Sequence, residues 1–151
     1  MGEIVRIWRK RFKRGPMDPL DEAQLVSGRG LAGNANQGGK RQLTIIDEAA
    51  WRDAATELGI DVAPSTRRAN VMLRGLDLEK TRGKLLRLGE CVVRVYGETR
   101  PCNQMEEAQR GLQNALDPHW RGGVFGEIVQ GGTIRVGDVA EWAQSELLPS
   151  P

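Results

Sequence analysis

The chain has 151 residues, 39% of them hydrophobic, with 22 Lys and Arg against 20 Asp and Glu and a formal net charge of +2. That length suits one domain that buries roughly 70% of its unfolded surface, and so small a charge excludes a field strong enough to draw the whole molecule to nucleic acid or a membrane. Any anion has to be bound locally. Apolar runs fall far short of the ~20 residues that span a bilayer, no apolar segment of secretory type opens the chain, and a chain of this size needs no disulfide, so a cytoplasmic protein with two free thiols is expected.

The 19 glycines fall between short apolar runs rather than in one linker, the pattern of a chain that turns often. A mainly β fold with a few helices follows, with strands expected over 4–9, 42–46, 71–74, 84–88, 91–96, 124–129 and 133–136. The run RIWRKRFKR packs six cations between Arg6 and Arg14 around Trp8 and Phe12. It reads as a first strand and a solvated basic turn before Gly15-Pro16, the alternative being a nucleic-acid patch. Residues 28–41, GRGLAGNANQGGKR, hold five glycines and end in Lys40-Arg41. Such a loop can turn backbone N–H groups toward a phosphate, or it is a mobile surface loop, since neither GxGxxG nor a complete P-loop is present.

Asp47 stands where an N-cap is needed, Trp51, Ala54, Ala55 and Leu58 recur on one helical face, and Gly59 can end the helix. In STRRANVMLRG, the forks of Arg67 and Arg68 suit phosphate or carboxylate, and the amide of Asn70 can read a heterocycle edge. A solvated turn with surface charges is the plainer reading of the same residues. Alternation in ECVVRVYG puts Cys91 on one face with Val93 and Val95, as a small buried hydrophobe without chemistry.

Cys102, in TRPCNQMEE, lies two residues after Arg100 and just before a second helical stretch over 104–116 that Gly111 interrupts and Asp117-Pro118 ends. A cationic neighbour and the N–H groups of a helix start are surroundings in which thiols react, although a cysteine plugging the end of the sheet fits equally well. His119 has no triad or zinc partner in the sequence and is left unassigned. No repeat appears, so residues 1–151 are expected to form a single domain with a short frayed tail, LLPSP.

Taken in order, GRGLAGNANQGGKRQLTIIDEAAW, RRANVMLRGLDL, LRLGECVVRVYGETRPCNQME and RGGVFGEIVQGGTIRVGD resemble the successive signature segments of the MOSC domain, the C-terminal domain of molybdenum cofactor sulfurases, over about residues 4–140. The resemblance implies a single β-barrel domain that binds the molybdenum cofactor (molybdopterin), an anionic pterin dithiolene with a phosphate. By motif position it makes Cys102 the metal ligand or sulfur carrier and matches Arg41, Arg68 and Asn70 to cofactor-binding positions. Arg67 and Arg100 join them as neighbouring cations. It departs from the family in reading Gly33-Asn34-Ala35-Asn36 where relatives often have Gly-Asp. Two functions follow from it: an oxidoreductase reducing N-hydroxylated compounds with electrons from a separate reductase, or a non-enzymatic carrier passing a Cys102 persulfide between a sulfur-donor and an acceptor enzyme. Family association also brings pyridoxal phosphate binding as a possibility. A nucleic-acid partner and a membrane are not expected.

Overall fold

The computed structural model describes residues 1–143; the LLPSP tail lies outside the described residues. The strands are β1 (Gly2–Lys10), β2 (Met17–Leu20), β3 (Glu22–Val26), β4 (Gly30–Leu31), β5 (Leu43–Asp47), β6 (Val71–Arg74), β7 (Leu85–Leu88), β8 (Cys91–Glu98), β9 (Val124–Gln130), β10 (Gly132–Arg135) and β11 (Val139–Ala143). The helices are α1 (Glu48–Leu58), α2 (Asn103–Ala108) and α3 (Leu112–Leu116).

Seven strands close on themselves in the order β11-β7-β8-β9-β5-β6-β1, with β1 pairing back to β11 at Gly2 and Glu3. Closure removes the exposed strand edges that an open sheet would leave. β2 folds back along β1 as a hairpin, and β10, β3 and β4 form a small second sheet. The neighbouring strands are antiparallel except β5 and β6, which run parallel because α1 carries the chain across between them.

Strand alternation divides the core in two. Cys91, Val93 and Val95 of β8, Leu43 and Ile45 of β5, Val71 and Leu73 of β6, and Leu86 and Leu88 of β7 fill the barrel, together with Ala23, Leu25, Leu31 and Ile134 from the small sheet. A bulge between Ile4 and Arg6 lets both Ile4 and Ile7 point inward despite their odd spacing. The opposite faces of β1, β5 and β6 supply Trp8, Ile46 and Met72 to a second cluster beneath the helices, with Trp51, Ala54, Met105, Leu112 and Leu116. Each fully buried Leu or Ile contributes about 1.5–3 kcal/mol by leaving water.

The helix ends follow their sequence signals. Asp47 Oδ2 accepts from the N–H groups of Ala49 (3.1 Å) and Ala50 (3.3 Å), and Gly59 closes α1 in the left-handed region at φ 70°. Gly111, at φ 88°, splits the expected second helix into α2 and α3. Cys91 is buried in the barrel as expected, and that burial pushes its thiol up to about 11. Both cysteines are free. Among the described residues no helix is long and apolar enough to cross a membrane.

Candidate functional site

The parallel pair β5–β6 begins at a cleft of about 350 Å³. Cys102, Arg41, Arg67, Arg68, Asn70 and Arg100, the six residues singled out in the sequence, all line it. Five cations reach it, Arg67 and Arg68 from the turn that precedes β6 together with Arg41, Arg100 and Lys10 at the end of β1, while among the described residues no aspartate or glutamate does. The remaining wall comes from Asn34, Asn36, Thr44, Ala69, Thr99, Gln104 and Gly122.

Two adjacent arginines do different work. Arg67 ends a single 3-10 turn, Pro64–Arg67, that points its side chain inward. Its Nε donates to the Gly122 carbonyl and its Nη2 to the Thr99 carbonyl, each at 2.9 Å, with the Arg100 carbonyl at 3.5 Å. This buried guanidinium therefore clamps the wall of the cleft, with its Nε and Nη2 taken up by backbone carbonyls. Burial lowers its pKa most, Arg41 adds to the lowering, and nearby Cys102 opposes it. Gly122 and Gly123 make the clamp possible, since a Cβ on Gly122 would strike the Thr99 carbonyl oxygen and one on Gly123, at φ 96°, the Ile45 carbonyl oxygen.

Arg68 takes the left-handed conformation at φ 65° and is only half-buried. One nitrogen, Nη2, donates to the Gly15 carbonyl at 2.6 Å, which fixes the side chain in the lining that it shares with Lys10. Burial lowers the Lys10 pKa, and Arg68 and Lys13 lower it further. Arg41 lies 4.8 Å over the ring of Phe125, a cation–π contact that leaves its charge uncompensated. Among the described residues, none of Lys10, Arg41, Arg67 and Arg68 has a carboxylate within ion-pair distance, whereas exposed Arg100 lies 3.9 Å from Glu98.

The floor is a network of neutral polar groups. Asn70 Oδ1 accepts from Thr44 N at 3.1 Å and from Thr44 Oγ1 at 3.2 Å, while its Nδ2 donates to Asn34 Oδ1 at 3.2 Å and more weakly to the Trp8 carbonyl at 3.4 Å. The Asn70 amide is thus engaged within the protein, where it braces β5 against β6. Asn34 Oδ1 accepts a second hydrogen bond, from Lys10 N at 2.8 Å. Thr99 is buried in the wall with its Oγ1 lacking a hydrogen-bond partner, a polar group that a ligand can satisfy.

Cys102 is exposed at the residue before α2, with no hydrogen bond from its side chain to the helix. The glycine-rich loop contributes Asn34, Asn36 and Arg41 to the cleft but none of its glycines. Sequence reasoning missed Lys10, Thr44 and Thr99. Lys10 was visible within the basic run, but nothing local distinguishes it from the solvated cations beside it. His119 is remote, on another pocket with its Nδ1 3.3 Å from Glu79. No cluster of His, Cys, Asp or Glu able to hold a metal ion by itself occurs among the described residues.

The fold is shared with solved structures. YuaD of Bacillus subtilis aligns with a TM-score of 0.79 at 20% identity, covering 93% of this chain and 94% of that one. YiiM of Geobacillus stearothermophilus aligns at 0.75 and 15% identity, covering 95% of this chain and 76% of its own. YiiM of Escherichia coli aligns at 0.71 and 18% identity, covering 94% and 70%. No curated protein matches the chain in sequence. The model of the MOSC domain matches residues 32–141, a stretch that runs from the loop of Asn34 through the Arg67–Asn70 turn and Cys102 to the strand that closes the barrel, and the chain belongs to the MOSC domain family.

Proposed function

We propose that the chain binds the molybdenum cofactor in the cleft, with Cys102 as the protein ligand to molybdenum, and reduces N-hydroxylated compounds. The observation that carries this reading is the lining: five cations, one exposed thiol and, among the described residues, no carboxylate. That donor set fits the group. A phosphate needs cations without competing acids, and a metal already held by dithiolene sulfur accepts a soft thiolate. When bound, the cofactor supplies two-electron oxygen-atom chemistry.

The residues of the chain bind and orient. Lys10 and Arg68 hold the phosphate, Arg41 and Arg67 keep the neighbourhood of Cys102 positive, and Asn34, Asn70 and Thr44 keep the floor rigid and neutral. The net reaction takes two electrons and two protons to convert an N–OH group to N–H and water. A separate reductase supplies the electrons, because the sequence holds neither a flavin fingerprint nor a set of iron–sulfur cysteines.

Cys102→Ser tests this directly. With cofactor loaded and a reductase present, turnover of an amidoxime should be lost while the pterin stays bound. Undiminished turnover by the variant would overturn the role of Cys102. The exposure of Cys102 also favours a second reading, a sulfur carrier, because a donor enzyme can reach the thiol. A persulfide on Cys102 after exposure to a cysteine desulfurase, detected by mass spectrometry in cofactor-free protein, would support that reading; its absence would count against it.

A further inference from the structure

The turn joining β1 to β2 is cationic, exposed and without a role in the cofactor reading. Of the aromatic residues in RIWRKRFKR, Trp8 is 5% exposed beneath the helices, but Phe12 is 57% exposed. Arg11 is engaged by Asp18 at 2.7 Å, whereas Lys13 and Arg14 have no carboxylate partner among the described residues. Gly15 N donates to the Phe12 carbonyl at 2.9 Å, and Arg14 takes φ 62° to close the turn.

This turn is joined to the cleft. The Phe12 ring lies along Gly15, where an added Cβ would come 2.8 Å from its edge, and the Gly15 carbonyl is the group that holds Arg68. Lys10 is in the cleft wall, and Lys13 is close enough to influence it. Beyond Lys10 and Arg68 the turn therefore offers an exposed aromatic ring and two further cations, outside the lining of the cleft itself. Cations alone would suit any anion. An exposed ring among them suits an anion that carries a flat ring of its own.

We propose that Phe12, Lys13 and Arg14 form a nucleotide subsite contiguous with the cleft. A ligand whose phosphate lies between Lys10 and Arg68 continues outward as a nucleotide, its base stacked on Phe12 and its additional phosphate facing Lys13 and Arg14. The continuity rests on the cofactor reading of the cleft, but affinity of the turn for a nucleotide does not require molybdenum.

Calorimetry on the full chain at low salt tests it, with guanosine, cytidine and adenosine monophosphates, inorganic phosphate and a single-stranded oligonucleotide as probes. At least one nucleotide should bind about tenfold tighter than inorganic phosphate, the scale of one stacked base. Phe12→Ala should erase that difference without changing phosphate affinity, and Arg68→Ala should weaken both. Equal affinity for nucleotide and phosphate, or a difference that survives Phe12→Ala, would overturn the proposal. So would affinity that climbs steeply with oligonucleotide length past that of the mononucleotides, which marks a polynucleotide surface. Protein purified without pterin or molybdenum that still shows the Phe12-dependent difference would support the subsite while removing the cofactor reading.

Discussion

At the start of the parallel pair β5–β6, Thr44 and Asn70 line a cleft rimmed by cations; at its other end Asp47 and Leu76 border a pocket with Asp53, Asp77 and Glu79. The acidic end engages most of its charges within the protein, although Asp47 Oδ1 is buried without a hydrogen-bond partner and Asp53 has no ion pair among the described residues. Asp47 caps α1, Asp77 accepts from Glu79 N at 3.0 Å, Glu79 lies 3.3 Å from His119, and Arg121 meets Glu57 at 2.9 Å. The cationic end leaves Lys10, Arg41, Arg67 and Arg68 without acids among the described residues. Like charges gathered without counter-charges repel, and a bound anion relieves that repulsion. Charge that is paired locally serves the fold, and charge left open is where the proposed anionic ligand would be held.

The largest effect expected from disturbing this contrast is at Arg67. Arg67→Met strips partners from the Gly122 and Thr99 carbonyls, at about 1.5–3 kcal/mol for each hydrogen bond to a charged group. A loss of about 3 kcal/mol should lower the melting temperature by roughly 6–12 °C, and a thermal scan indistinguishable from the parent protein would show that the clamp is not structural. Next is Asn34→Asp, which keeps the acceptor for Lys10 N and Asn70 Nδ2 but puts a carboxylate into the acid-free cleft. Phosphate affinity should fall about tenfold, equivalent to roughly 1.4 kcal/mol, with little change in stability; unchanged affinity in a calorimetric titration would break the electrostatic account. The smallest effect belongs to the other end. His119→Ala removes a side chain that is 68% exposed, so stability should move by no more than about 0.5 kcal/mol and phosphate affinity not at all.

The same contrast marks what the sequence could disclose. The barrel strands were legible where alternation is clean, as in CVVRVYG, and α1 where its cap and apolar spacing agree. β2 and β3 lie in a stretch interrupted by Pro19, β4 has only two residues, and β11 is defined by meeting β1 and β7, which no local pattern encodes. At the site, residue types were legible but their duties were not. Arg67 and Arg68 look alike in RRAN, and what separates them is a pair of carbonyls 32 and 55 residues away in the chain. Asn70 is likewise engaged by partners 26 and 36 residues away. Asn34, a departure from the usual Gly-Asp, becomes intelligible only beside Lys10, where it supplies an acceptor without a negative charge.

Molybdenum and oxidised-pterin fluorescence measured per chain, on protein purified from a host that makes the cofactor and on its Arg68→Ala variant, test the central claim most directly. The account predicts about one molybdenum and one pterin per chain in the parent, and pterin lost from the variant, because the phosphate would lose its cation beside Lys10. A parent protein carrying neither, under conditions that load another MOSC protein, would contradict it.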